Sequence, residues 1–229
     1  ELIEAGGMIG PRGFSTGDNI TAGDAARANE INNPADALAA VRKMADWGAV
    51  TIKQYAQPRR DQRQWMAEAS RTVGMNETSE GGHFMEDLGF IMDGQTGFEH
   101  SFSELPMYSD GAKFFGKAGA TYSHTLVVAG PTGWNIEYWF GQSDVWKDAK
   151  QRRWFPWRAL VPQTRIRWLR PETDYNFPFV AQAMADSIAE GGHGAMGAHG
   201  EHHGIGPHWE VWMGASALGA QGALEVATL

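Results

Sequence analysis

The stretch Thr51-Ile52-Lys53-Gln54-Tyr55-Ala56-Gln57-Pro58-Arg59-Arg60-Asp61-Gln62-Arg63-Gln64 decides how this chain reads. It opens on β-branched and aromatic residues, which favour a strand, and runs into a polar loop and a helix. One lysine, Lys53, stands within the strand. A buried, unpaired ammonium costs several kcal/mol, so Lys53 either pairs with a carboxylate or is chemically modified. Carboxylation would turn it into an anionic, bridging oxygen ligand.

The same alternation of strand and helix extends on both sides. Asn33 is a good N-cap and Pro34 a good first-turn residue, and Ala37, Leu38, Val41, Met44 and Ala45 then recur at helical spacing until Gly48. The pattern predicts a strand over 49–55, a helix over 59–73 ending at Gly74, a strand over 75–80 and a helix over 84–93. It continues with a strand over 96–100, a helix over 108–117, a strand over 121–129, a helix over 175–190, a small-residue strand over 194–200 and a last helix beginning at 222. With residues 12–17 as the first strand, six strand units are expected. Strands separated by helices imply a parallel sheet with right-handed crossovers. The fold class is therefore α/β, a partial (β/α)8 barrel of about six of its eight units, since a complete barrel takes about 250 residues.

Residues 130–171 interrupt the pattern as an insertion within a single domain over 1–229. The insertion carries Trp134, Tyr138, Trp139, Trp146, Trp154, Phe155, Trp157 and Trp168 without a clear period. It is too long for an idle loop. A lid, a docking surface or a small satellite core all fit it.

Strand ends at one face of such a barrel are where chemistry is assembled. His100 closes the strand in Gly97-Phe98-Glu99-His100 and is a candidate metal ligand, with a satisfied core histidine as the plain alternative. Glu80 closes the strand between, where an oxygen ligand, a general base or a partner for Lys53 would sit. The run Gly197-Ala198-His199-Gly200-Glu201-His202-His203-Gly204 packs three histidines and a glutamate between glycines, which suits a metal site or a flexible polar loop equally. His124 belongs to the same end if the barrel holds. The candidate metal ligands are thus Lys53, Glu80, His100, His124 and His199, with Glu80 and His199 as candidate catalytic groups. His83, His193 and His208 read as loop or capping residues.

Composition excludes other classes. The 229 residues carry a formal charge of -8, with 42% hydrophobic and 20% charged residues, an ordinary globular composition. Such a balance argues against a nucleic-acid groove or an anionic membrane surface, and the basic run 150–170 is broken up by tryptophans. No run approaches the roughly 20 apolar residues that span a bilayer. Cysteine is absent, which removes disulfides, thiolate metal sites and a Cys nucleophile. The first residues, Glu1-Leu2-Ile3-Glu4-Ala5, lack an initiator Met and a basic n-region, so the chain is expected to be processed or truncated. A Gly-x-Ser-x-Gly elbow, a phosphate loop and a His-Glu-x-x-His helix are all missing.

Seven segments in order carry a resemblance: Gly10-Pro11-Arg12-Gly13-Phe14-Ser15-Thr16-Gly17; the Lys53 strand with its Gln57-to-Gln64 continuation; Glu80-Gly81-Gly82; Asp93-Gly94-Gln95-Thr96-Gly97-Phe98-Glu99-His100-Ser101; Thr125-Leu126-Val127-Val128; Asp174-Tyr175-Asn176; and Gly197-Ala198-His199-Gly200 with His208-Trp209-Glu210. Together they resemble the amidohydrolase superfamily, and within it the imidazolonepropionase-related proteins that carry a Tol-type β-propeller ahead of the barrel. The resemblance implies a hydrolase of C–N bonds that uses a divalent metal, most often zinc, as one or two ions, to activate water. It makes Lys53 the fourth-strand carboxylated-lysine ligand, His100 the sixth-strand ligand and Glu80 the occupant of the fifth-strand ligand region. It further implies a small-molecule substrate and a periplasmic or secreted setting, and is compatible with a homo-oligomer.

Three departures stand against that pattern. The first-strand His-x-His pair is absent, the fifth-strand His is not evident, and His199 stands where the eighth-strand Asp is expected. A barrel lacking its first strands would expose a raw edge, so an N-terminal segment or a partner chain is expected to complete it. Two function classes follow, a metal-dependent amidohydrolase and a catalytically silent binding or scaffold module with a degenerate site.

Overall fold

The computed structural model describes residues 2–21, 31–55, 59–102, 105–129, 135–165, 167 and 169–229. Parts of three sequence expectations, the Gln57-Pro58 loop, Trp134 and Trp168, lie outside the described residues. The strands are β1 (Ile20–Thr21), β2 (Thr51–Tyr55), β3 (Asn76–Glu80), β4 (Gly97–Glu99), β5 (Thr121–His124) and β6 (His193–Met196). The helices are α1 (Pro34–Asp46), α2 (Arg60–Val73), α3 (Phe84–Met92), α4 (Ser109–Lys117), α5 (Ile136–Gln142), α6 (Ala149–Trp154), α7 (Trp157–Arg165), α8 (Phe177–Ala189) and α9 (Gly206–Thr228). The six strands form one sheet in chain order, the topology of successive parallel βα units. The chain divides into two compact units, Glu1–Glu80 with Gly89–Gly97, and Gly81–Leu88 with Phe98–Leu229.

In the first unit β1 pairs with β2 and β2 with β3, all parallel, with Ile52 opposite Glu77 and Lys53 opposite Thr78. Side chains alternate between faces along a strand. Ile52 turns to the helix layer and shares a buried cluster with Val41, Met44 and Met66. Lys53, Thr78 and Glu80 therefore lie on the opposite face. Helix α1 starts as its sequence predicts, with Asn33 Oδ1 accepting from the amides of Ala35 and Asp36. Helix α2 ends at Gly74, whose φ of 79° is the left-handed cap that glycine adopts freely. The polar run before Gln64 ties α2 down: the fully buried Asp93 carboxylate accepts from Arg60 Nε at 2.6 Å, Gln64 Nε2 at 3.0 Å and Arg63 Nε at 3.2 Å.

Residues 12–17 are not a strand, contrary to expectation, and the first strand falls at Ile20–Thr21. Pro11 lacks an amide proton, and Gly17 turns with φ 69° where a Cβ would meet Met44 Sδ at 2.8 Å. Both features break an extended ladder.

In the second unit β5 pairs in parallel with β6, Ser123 opposite Ala195. Its strand is four residues long rather than the nine expected over 121–129. Beyond His124 the amides leave the ladder: Leu126 and Val127 donate to the Glu210 carboxylate, and Val128 and Ala129 to Thr125 O. A β-branched composition is overridden there by a long-range acceptor. The insertion folds as α5, α6 and α7, and Ile136, Phe140, Val145 and Leu160 join Leu126, Val180, Trp209 and Met213 in one buried cluster. Of the readings offered for the insertion, this is the core. The last helix begins at Gly206 rather than 222, with a break at Gly219. Its glycines lower helix propensity, yet Gly214 is needed because a Cβ would lie 2.5 Å from Met196 Cε.

Candidate active site

Lys53 and Glu80 meet on their shared face of the first unit, with Lys53 Nζ 3.6 Å from Glu80 Oε2. The side chains keep 19% and 32% of their surface exposed, so the pair is worth less than about 1 kcal/mol. The carboxylate partner read for Lys53 is thus present as Glu80.

In the second unit β4 ends at Glu99, and His100 follows with φ 71°. His199 follows β6 with φ 55°. A non-glycine residue in this region costs about 1–2 kcal/mol, and such strain collects at functional sites. The two imidazoles stand edge to face, ring centres 5.2 Å apart. His100 is held by its amide, which donates to Ser123 O at 2.9 Å, and by Nδ1, 2.7 Å from Thr125 Oγ1. His199 Nδ1 lies 3.5 Å from Glu201 Oε1. A carboxylate or hydroxyl on one ring nitrogen fixes the ring's orientation and favours a defined tautomer.

His124 is placed differently. Tyr122 and His124 share one face of β5, where Tyr122 stacks on Phe98 and Phe102. His124 is fully buried, with Nδ1 3.3 Å from Glu210 Oε1, and neither ring nitrogen makes a hydrogen bond of good geometry. Glu210 is itself buried and clamps the 126–127 turn. That clamp spans 84 residues of sequence, and its only sequence signal is a lone acid in the apolar run Trp209-Glu210-Val211-Trp212-Met213.

The histidine-rich loop contributes one further fixed element. His202, with φ 47°, stacks between Phe155 at 4.1 Å and Trp209 at 5.1 Å. Burial, and next the His203 charge, pull its pKa down to about 4. It is therefore neutral at pH 7, and it packs the insertion onto α9.

The structure thus brings together Lys53 with Glu80 and His100 with His199, and sets His124 apart with Glu210. In donor chemistry His100 and His199 fit a divalent ion, which takes imidazole nitrogens. Among the described residues, no three His, Asp or Glu form a ready ligand cluster.

Solved structures with the same fold include a Xaa-Pro dipeptidase with bound methionine in its active site, at 19% identity and TM-score 0.62. A bottromycin amidohydrolase aligns at 16% identity and TM-score 0.65. An ochratoxinase of A. niger aligns at 14% identity and TM-score 0.63. The fold is that of the amidohydrolases. Each alignment covers 99% of this chain but only 55–58% of the solved one, so the chain spans a little over half the length of these solved structures. That share agrees with a partial barrel. No family model and no curated protein matches the sequence.

Proposed function

We propose that this chain belongs to a metal-dependent hydrolase that cleaves amide bonds in small, peptide-like molecules. The observation that carries the reading is the His100–His199 pair, two strained imidazoles in contact just past the ends of β4 and β6. Backbone strain at two adjacent donor side chains is costly unless the position is used. The fold shared with a dipeptidase and with amidohydrolases supports the bond class.

His100 and His199 would hold the ion through ring nitrogens. A bound divalent ion polarises the scissile carbonyl and lowers the pKa of water. Thr125 and Glu201 orient the two imidazoles. Glu80, 3.6 Å from Lys53 Nζ, is the proposed proton acceptor. Aromatic side chains of the insertion that remain exposed, Trp154 and Trp157, offer stacking surface to a cyclic substrate.

The test is hydrolysis of a dipeptide and N-acyl amino acid panel by the full-length protein, with and without added zinc. Turnover that disappears in His100→Ala and falls by about 10–100-fold in Thr125→Val supports the reading. A folded protein that binds panel members without turnover in any metal supports the silent module, a reading favoured by the Lys53–Glu80 ion pair, in which two ligand candidates occupy each other.

A further inference from the structure

The first unit holds a second polar site that the proposed hydrolase chemistry does not use. Glu77 lies on the helix-facing side of β3, away from Glu80, and is 2% exposed. Its Oε1 accepts from Gln54 Nε2 at 2.8 Å, while Oε2 makes no hydrogen bond of good geometry, with the Ser70 hydroxyl as its side-chain neighbour. The buried Ser70 Oγ is also without a hydrogen bond of good geometry. Both residues line a cavity of about 240 Å³ at the N-terminal end of β3, together with Ala67, Arg71, Gly94 and Thr96. A buried polar atom without a well-formed hydrogen bond is unfavourable, and here the residues that carry such atoms line a space large enough for a small molecule.

The charges around that space select the occupant. Arg71 is tied to Glu68 through Nη1. Its Nη2 faces Gly94, where a Cβ would come within 2.9 Å of it, so glycine keeps room for the guanidinium. A simple cation would satisfy Glu77 and meet the Arg71 charge. A simple anion would pair with Arg71 and press a negative charge on a buried acid. A molecule with an ammonium and a carboxylate a few ångströms apart satisfies both ends.

We propose that this cavity binds a small zwitterion, a free α-amino acid, with its ammonium on Glu77 Oε2 and its carboxylate on Arg71. Burial raises the Glu77 pKa to about 8, with Ser70 and Arg71 pulling the other way. The empty site therefore holds a proton at pH 7, and an arriving ammonium displaces it to solvent. Binding is then accompanied by release of about one proton per ligand.

Calorimetry on the full-length protein in two buffers of different ionisation heat tests this, with L-alanine, ethylamine and propionate as probes. Saturable binding of L-alanine with proton release, and the two single-charge probes weaker by about tenfold or more, bears the proposal out. Glu77→Gln and Arg71→Gln should each weaken L-alanine by a similar factor with the circular dichroism unchanged. If Glu77→Gln does not fold, the exposed Arg71 decides through its own variant. No saturable L-alanine binding, as for a cavity holding only water, overturns it. So does equal affinity for a single-charge probe, or affinity unchanged in Arg71→Gln. Hydrolase activity is read separately, so losing one result leaves the other standing.

Discussion

Replacing Asp93 by Asn tests the tie that fixes α2 against the end of α3, and the structure sets its size. The carboxylate has no exposed surface and takes three donors, of which Arg60 is 59% exposed and Arg63 13%. The Arg60 contact, being largely in water, counts for less than about 1 kcal/mol. Arg63 is different, since removing the partner of a buried charge costs up to about 3–5 kcal/mol. Asn keeps an acceptor for Gln64 and part of the Arg63 bond, so Asp93→Asn is expected to lose about 2–3 kcal/mol and Asp93→Ala about 4. With a urea slope of about 2–3 kcal/mol/M, the Asn variant shifts the unfolding midpoint by about 1 M. Arg63→Ala should cost clearly more than Arg60→Ala. A loss below about 0.5 kcal/mol for Asp93→Asn, or equal costs for the two arginines, would refute the argument.

Other perturbations probe the remaining buried groups. Because the Glu77 pKa is raised to about 8, the native state keeps a proton that the unfolded chain gives up above the ordinary value of 4.5. Stability therefore falls as pH rises from about 5 to 8, and urea titrations of Glu77→Gln should lack that part of the slope. For His202 the sign is reversed: with the pKa lowered to about 4, the unfolded chain takes up a proton first as pH falls below the ordinary 6.5. Acid loss of stability between about pH 6.5 and 4 should be shallower in His202→Phe, whatever the variant's stability at pH 7. Glu210→Ala leaves the Leu126 and Val127 amides unpaired in the core and should destabilise by about 2–4 kcal/mol, read as a lowered midpoint in urea.

Local signals explain what the sequence made legible. The Asn33-Pro34 cap, the apolar stripe of α1 and the Gly74 stop are set by neighbours a few residues away, and the structure has them where the pattern puts them. Long-range partners explain the rest. Thr125-Leu126-Val127-Val128 reads as strand by composition, yet an acid 84 residues later takes its amides into a turn. Lys53 and Glu80 were legible as a pair because consecutive parallel strands place their ends side by side. That His100 and His199 adopt left-handed backbone, and that His124 is buried against Glu210, depends on where β4, β5 and β6 stop, which propensity does not fix. The buried Glu77 and its cavity left no sequence signal beyond an acid in a short polar strand.

The proposed metal-dependent hydrolysis rests on a divalent ion held by His100 and His199. Its most direct test is elemental analysis of the full-length protein, purified without chelators, beside the His100→Ala/His199→Ala variant. A stoichiometric zinc or similar ion in the parent, lost in a variant of unchanged circular dichroism, is the expected result. A folded parent that holds no ion after incubation with zinc, or a variant that keeps its ion, contradicts the account.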